Sequence, residues 1–306
     1  WNVLPAAQSG DGGNYVSSRP LAGTRPPLAK PADANAVSSG VLALALLPSL
    51  ICAEGPEGYY INQYCESTVR FRAPSGQIVT LEQHTSYPDT EAVAIVLRMK
   101  KPETLNFLVR IPGWAEGATV RVNYWMPSPA TSGGYECISR KWSDGEMIHV
   151  RFPMRPCWVK GAGEKEGLVA LVRGPVVFAL NSLWCSAEAR LALFDSRERG
   201  TAFTGLAWVF QDTWLTRQPA KDGALGPFYP VKLGMKNGAV HEGCMVPFAN
   251  VGLLPEYKQA DNSRTSADSG EDCEPDSGYA YAVWLPAEPD LPQAAPSTVS
   301  AVSGYL

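Results

Sequence analysis

The stretch VAIVLRMKKPETLNFLVRI, residues 93–111, decides the fold class. Val93, Ile95, Leu97 and Met99 alternate with smaller or polar residues, and Leu105, Phe107, Val109 and Ile111 alternate again. Period two marks a strand with one buried face, whereas a helix would space its apolar residues three and four apart. The charged, proline-containing link Lys100-Lys101-Pro102-Glu103 between the two runs predicts a β-hairpin. Working outward, Val69/Phe71, Val120/Val122 and Ile148/Val150/Phe152 form further short runs. Turn signals separate them at Ser75-Gly76, Pro112-Gly113, Gly133-Gly134 and Asp144-Gly145. Many short strands at this spacing favour a mainly β chain of antiparallel sandwich or jelly-roll type over a parallel α/β sheet.

Composition agrees. The 306 residues are 45% apolar and 18% charged, enough to build a buried core. With 28 glycines and 26 prolines, long helices are disfavoured. A net charge of −4 leaves no basic footprint for nucleic acid or an anionic membrane. The apolar run Val41–Leu47 is far shorter than the ~20 residues that cross a bilayer, and reads as the last turns of a helix ended by Pro48. Seven scattered cysteines without a CxxC leave buried thiols and one or two disulfides equally open, and with them the compartment. The chain starts at Trp1 and its first methionine is Met99, which reads as a processed product or a piece of something longer.

Residues 1–40 hold five glycines, five prolines and five charged side chains without periodicity, and are expected to be a flexible leader. A small-residue link at Lys160-Gly161-Ala162-Gly163 suggests a domain boundary. Beyond it, Leu168–Leu180 is an apolar run broken by Arg173-Gly174-Pro175, and Ser186–Arg199 has room for one short helix. Residues 256–278, with seven acidic against two basic side chains, read as a long surface loop. A final strand is expected from Tyr279 to Leu285.

Chemistry-bearing patterns are sparse. There is no G-x-S-x-G elbow and no Walker or dinucleotide fingerprint. Thirty acidic residues supply candidates for a glycosidase pair, but spacing selects none. His241-Glu242-Gly243-Cys244 with Cys273 offers too few partners for a closed zinc site, and Asp268–Glu274 does not follow the EF-hand pattern. His84 and His149 fall in strand patterns, where a structural role is the default. Among nine tryptophans, Trp114 and Trp125 lie beside turn signals and are the candidates for stacking on a sugar; Trp142 and Trp284 sit in strand-like runs and are expected in the core.

Five stretches taken together carry a resemblance. They are Leu47-Pro48-Ser49-Leu50-Ile51-Cys52-Ala53-Glu54-Gly55 with Gly58–Tyr64; Thr85-Ser86-Tyr87-Pro88-Asp89; Arg110-Ile111-Pro112-Gly113-Trp114-Ala115 with Thr119–Asn123; Arg140-Lys141-Trp142-Ser143-Asp144-Gly145-Glu146 with Phe152-Pro153-Met154; and Val169–Phe178. In order and spacing they resemble the C-terminal part of glycoside hydrolase family 127, the β-L-arabinofuranosidase-like enzymes. The resemblance runs from about residue 44 to 182, and Tyr281–Pro286 is similar to the family's closing strand. It implies two tandem antiparallel β-sandwiches at residues 50–158 and 160–286. An unstructured leader (1–43), a helix remnant to about residue 50 and a tail (287–306) complete the expected division.

The resemblance also implies that chemistry resides in an (α/α)6 barrel ahead of the sandwiches, where a cysteine nucleophile sits on zinc and a glutamate serves as acid/base. Zinc keeps such a thiol deprotonated at neutral pH, which is why the chemistry needs a cysteine cluster. The place of the family's adjacent cysteine pair reads Asn35-Ala36-Val37-Ser38-Ser39-Gly40, so no catalytic residue transfers and no cofactor is expected in this chain. The expected function is that of a non-catalytic sandwich portion bracing the barrel, with the barrel as its partner and a homodimer contact as a further expectation. The alternative is a stand-alone carbohydrate-binding module that stacks plant-type arabinose-containing glycans on Trp114 or Trp125.

Overall fold

The computed structural model describes residues 21–23, 34–182, 185–193, 203, 205–212, 215–218, 228–250 and 281–288. Most of them are in strands, and the chain divides into two compact units, residues 41–155 and residues 1–40 with 156–306. The first elements are β1 (Ala22–Gly23) and α1 (Ala34–Ile51). Both begin inside the segment expected as an unstructured leader, so residues 34–43 are helical rather than coil. Pro48 does not end α1, as expected from sequence, but lies inside it. Proline removes one donor, and the helix needs only one further turn beyond it; Ser49 Oγ donates to the Leu46 carbonyl at 2.7 Å within that turn. The remaining expectations for residues 1–20, 24–33, 251–280 and 289–306 lie outside the described residues.

In the unit of residues 41–155, β2 (Cys52–Gly55), β3 (Gly58–Ile61), β7 (Glu103–Ile111) and β10 (Gly134–Trp142) form one sheet in the order β10-β7-β3-β2. The other sheet contains β4 (Ser67–Arg72), β5 (Ile78–His84), β6 (Ala92–Arg98), β8 (Thr119–Val122), β9 (Ser128–Pro129) and β11 (Met147–Arg151). Its order is β4-β5-β6-β11-β8-β9. Pairing is antiparallel throughout except between β3 and β7, which run parallel. One core cluster takes side chains from both sheets, Phe107, Ile61 and Trp142 from the first and Ile95, Leu81 and Ile148 from the second, which makes this unit a β-sandwich.

The hairpin expected between residues 93–99 and 105–111 does not form. β6 pairs with β5 and β11, and β7 pairs with β10 and β3, so the two strands lie in opposite sheets. Alternation reports which face is buried, and both strands do bury that face in the shared core; it does not report the neighbour. The link between them is an arch pinned from outside. Asp144 accepts the Met99 N–H at 2.9 Å, and Gln77 accepts the Lys101 N–H at 3.1 Å.

The other unit holds β12 (Pro156–Lys160), β13 (Leu168–Arg173), β14 (Val176–Asn181), α2 (Ala187–Leu193), β15 (Leu206–Val209), β16 (Tyr229–Met235), β17 (Val240–Pro247), β18 (Tyr281–Ala282) and β19 (Leu285–Pro286). Gly174, at φ 55°, makes the tight turn of the β13–β14 hairpin. β14 pairs with β13 at its start and with β17 and β18 further on, so the antiparallel ladders of this unit join through it. Ser186 Oγ accepts the Ala189 N–H at 3.1 Å and caps α2. The single closing strand expected over 279–285 is two short pieces, β18 and β19, on different partners.

Candidate functional site

The two tryptophans singled out as sugar contacts are built differently. Trp114 follows the turn Pro112-Gly113, where Ala115 N–H donates to the Pro112 carbonyl at 3.0 Å. Its ring is half-buried, packed 5.8 Å from the Phe152 ring at the margin of the core. Trp125 lies in the connection from β8 to β9 and is 66% exposed, between Tyr124 at 99% and Met126 at 87%. Among the described residues no ring contact joins the two tryptophans.

The Trp125 connection is clamped at its base. Asn123 takes a left-handed conformation, φ 50°, which asparagine tolerates better than most residues. Its side chain donates to Glu146 Oε1 at 2.9 Å and accepts the Met147 N–H at 2.8 Å, and its own N–H donates to the Met147 carbonyl at 2.8 Å. Glu146 also accepts the Ser143 N–H at 2.7 Å and Arg140 Nη2 at 2.9 Å. The Arg140 guanidinium carbon then lies 5.0 Å from the Trp125 ring and 5.1 Å from the Trp142 ring. A planar cation between two indoles is a favourable arrangement, and it fixes the inner face of Trp125. Arg140 Nη1 is buried without a hydrogen-bond partner.

Trp142 anchors the assembly. It is fully buried, donates Nε1–H to the Leu105 carbonyl at 3.0 Å, and meets Phe107 edge-on at 5.4 Å. Arg140, Asn123 and Glu146 were not legible as partners of Trp125 from sequence. The available signal was the two-residue spacing of Arg140 and Trp142, which puts both on one face of a strand.

The metal candidates come apart. His241 and Cys244 both lie on β17, and a spacing of three along a strand sends their side chains to opposite faces. Cys273 lies outside the described residues. Burial, with the Cys65 thiol nearby, pushes the Cys52 thiol up to about 12. Such a thiol stays protonated near neutral pH and is a poor nucleophile. Residues 35–40 lie in α1 without a cysteine, and the described residues hold no group of three or more His, Cys, Asp or Glu arranged to take a metal ion. They do not fit the zinc–cysteine centre that the resemblance implies. No helix among the described residues is long and apolar enough to cross a membrane.

Residues 58–154 match the family model described as "Beta-L-arabinofuranosidase, GH127 middle domain". This sandwich is similar to the middle domain of glycoside hydrolase family 127. No curated protein sequence matches the chain. Solved structures do, over 93% of its length. A GH127 β-L-arabinofuranosidase from Geobacillus stearothermophilus T6 superposes with a TM-score of 0.67 at 18% identity, over 44% of that protein. A GH127 β-arabinofuranosidase gives 0.65 at 20% identity over 44% of its chain, and a protein titled glycoside hydrolase gives 0.65 at 17% over 46%. At these identities the likeness establishes the fold. The chain spans less than half the length of the solved structures it matches.

Proposed function

We propose that this chain is the accessory, non-catalytic β-sandwich portion of a family 127-like glycoside hydrolase acting on β-L-arabinofuranosides, and that it braces a helical catalytic domain. The observation that carries the reading is α1. Its 18 residues include no charged side chain, and Val41, Leu42, Leu44, Leu46, Leu47 and Leu50 are all exposed. At ~100° per residue these six point in every direction around the helix axis. A helix apolar on all sides belongs inside a packed helical body, not on the surface of a sandwich. Burying each such side chain is worth about 1.5–3 kcal/mol, so their cover contributes on the order of 10 kcal/mol before the costs of association.

The partner that fits is a set of further helices in the same parent protein. The catalytic groups then belong to that body, in keeping with a Cys52 thiol that stays protonated and with the lack of a metal-ligand cluster among the described residues. Reading the coding DNA upstream of the Trp1 codon tests this. An in-frame helical domain bearing an adjacent cysteine pair is expected; a stop codon directly upstream in the same frame would overturn the bracing role.

A further inference from the structure

The connection Asn123–Pro127 has a build that bracing does not require. We propose that its Trp125 ring is a preorganised platform for one ring of a neutral glycan, stacked on the indole face turned away from Arg140. The inference is independent of whether α1 docks a catalytic body.

Three properties argue for it. First, the platform is rigid. Three hydrogen bonds of Asn123, the Glu146 carboxylate and the Arg140 guanidinium hold the base, and Trp125 N–H donates to the Val122 carbonyl at 3.1 Å. A ring fixed beforehand loses little freedom on binding. Second, the ring's inner face is taken by Arg140 while 66% of the residue is exposed, which leaves the outer face open to the C–H face of a sugar.

Third, size and charge select the occupant. From Val122 to Gly134 there is no charged side chain, but there are hydroxyls at Tyr124, Ser128, Thr131 and Ser132. That is the complement of a neutral polyol. Tyr124 and Trp125 offer roughly 150–250 Å² each, about 300–500 Å² together. This falls short of the ~800 Å² per partner of a stable protein interface, yet it suffices for one or two sugar rings.

The test follows the indole Nε1–H resonances of the ¹⁵N-labelled chain while a linear arabinan oligosaccharide, and separately a galactan oligosaccharide, is added. The Trp125 resonance, assigned by its loss in Trp125→Ala, should shift saturably with at least one of them. Trp114→Phe should leave that titration unchanged, and Tyr124→Ala should weaken it by a few-fold, both with melting temperatures near that of the parent chain. Three results overturn the proposal: no saturable shift of the Trp125 resonance with either sugar, shifts confined to other indoles, or a Trp125 resonance that responds only to protein concentration. The last would make the tip a protein contact.

Discussion

At the residue scale, the sandwich of residues 41–155 hangs on a few side chains that join distant strands. Trp142 fills the core, and its one polar atom is satisfied by the Leu105 carbonyl. Trp142→Ala removes that volume and leaves a cavity, and should cost about 3–5 kcal/mol in urea unfolding. Arg140 and Glu146 pair at 2.9 Å while partly buried, so removing one partner leaves the other uncompensated. Glu146→Ala should therefore destabilise by more than Glu82→Ala, whose partner Arg98 is half-exposed.

His149 on β11 gives a pH signature. Desolvation, and then the cation of Arg121 opposite it on β8, hold its imidazole below the ordinary value. In the unfolded chain it takes up a proton at higher pH than in the folded one. Stability is thus retained above pH ~6.5 and falls as pH drops below that value. His149→Gln should flatten the decline of melting temperature between pH 7 and 5 relative to the parent chain. An unchanged slope would assign the decline to other groups.

At the element scale, the β2–β3 hairpin shows how closely backbones approach. Gly58 sits at φ 141°, and a Cβ there would run into the Asn106 carbonyl on the paired strand β7. Gly58→Ala should lower stability by roughly 1–3 kcal/mol through this overpacking, with a shifted urea midpoint and an unchanged slope. Helix α1 is the opposite case, an element whose apolar side chains are exposed among the described residues. The chain alone should self-associate through it, since exposed apolar patches of this size drive association. Leu42→Glu/Leu46→Glu should convert the associated species to monomer in sedimentation velocity. A monomeric parent chain would count against an uncovered docking helix.

What was legible from sequence also divides by element. Strand alternation located β4, β6, β7, β8 and β11, because burial on one face leaves a period of two in the residues themselves. It could not pair them, because Val93–Met99 and Leu105–Ile111 carry the same pattern whether they share a sheet or face each other across a core. Pro48 misled for a related reason. Proline forbids one hydrogen bond, and a helix near its end can do without that bond. The clamp on Trp125 was hidden because Asn123, Arg140 and Glu146 come from three separate places in the chain and meet only through the sheet register.

At the scale of the whole molecule, two compact units rich in β-strands account for the described residues, and less than half of the matched structures has a counterpart here. Burial holds the Cys52 thiol protonated, and the histidine and cysteine of β17 face apart. On the proposed reading, this chain supports a catalytic body and does not itself cleave. The most direct measurement is hydrolysis of a chromogenic β-L-arabinofuranoside by the purified 306-residue chain, with and without added zinc. The expected result is no release above the buffer blank under either condition. Zinc-dependent turnover that survives repurification would contradict the non-catalytic role.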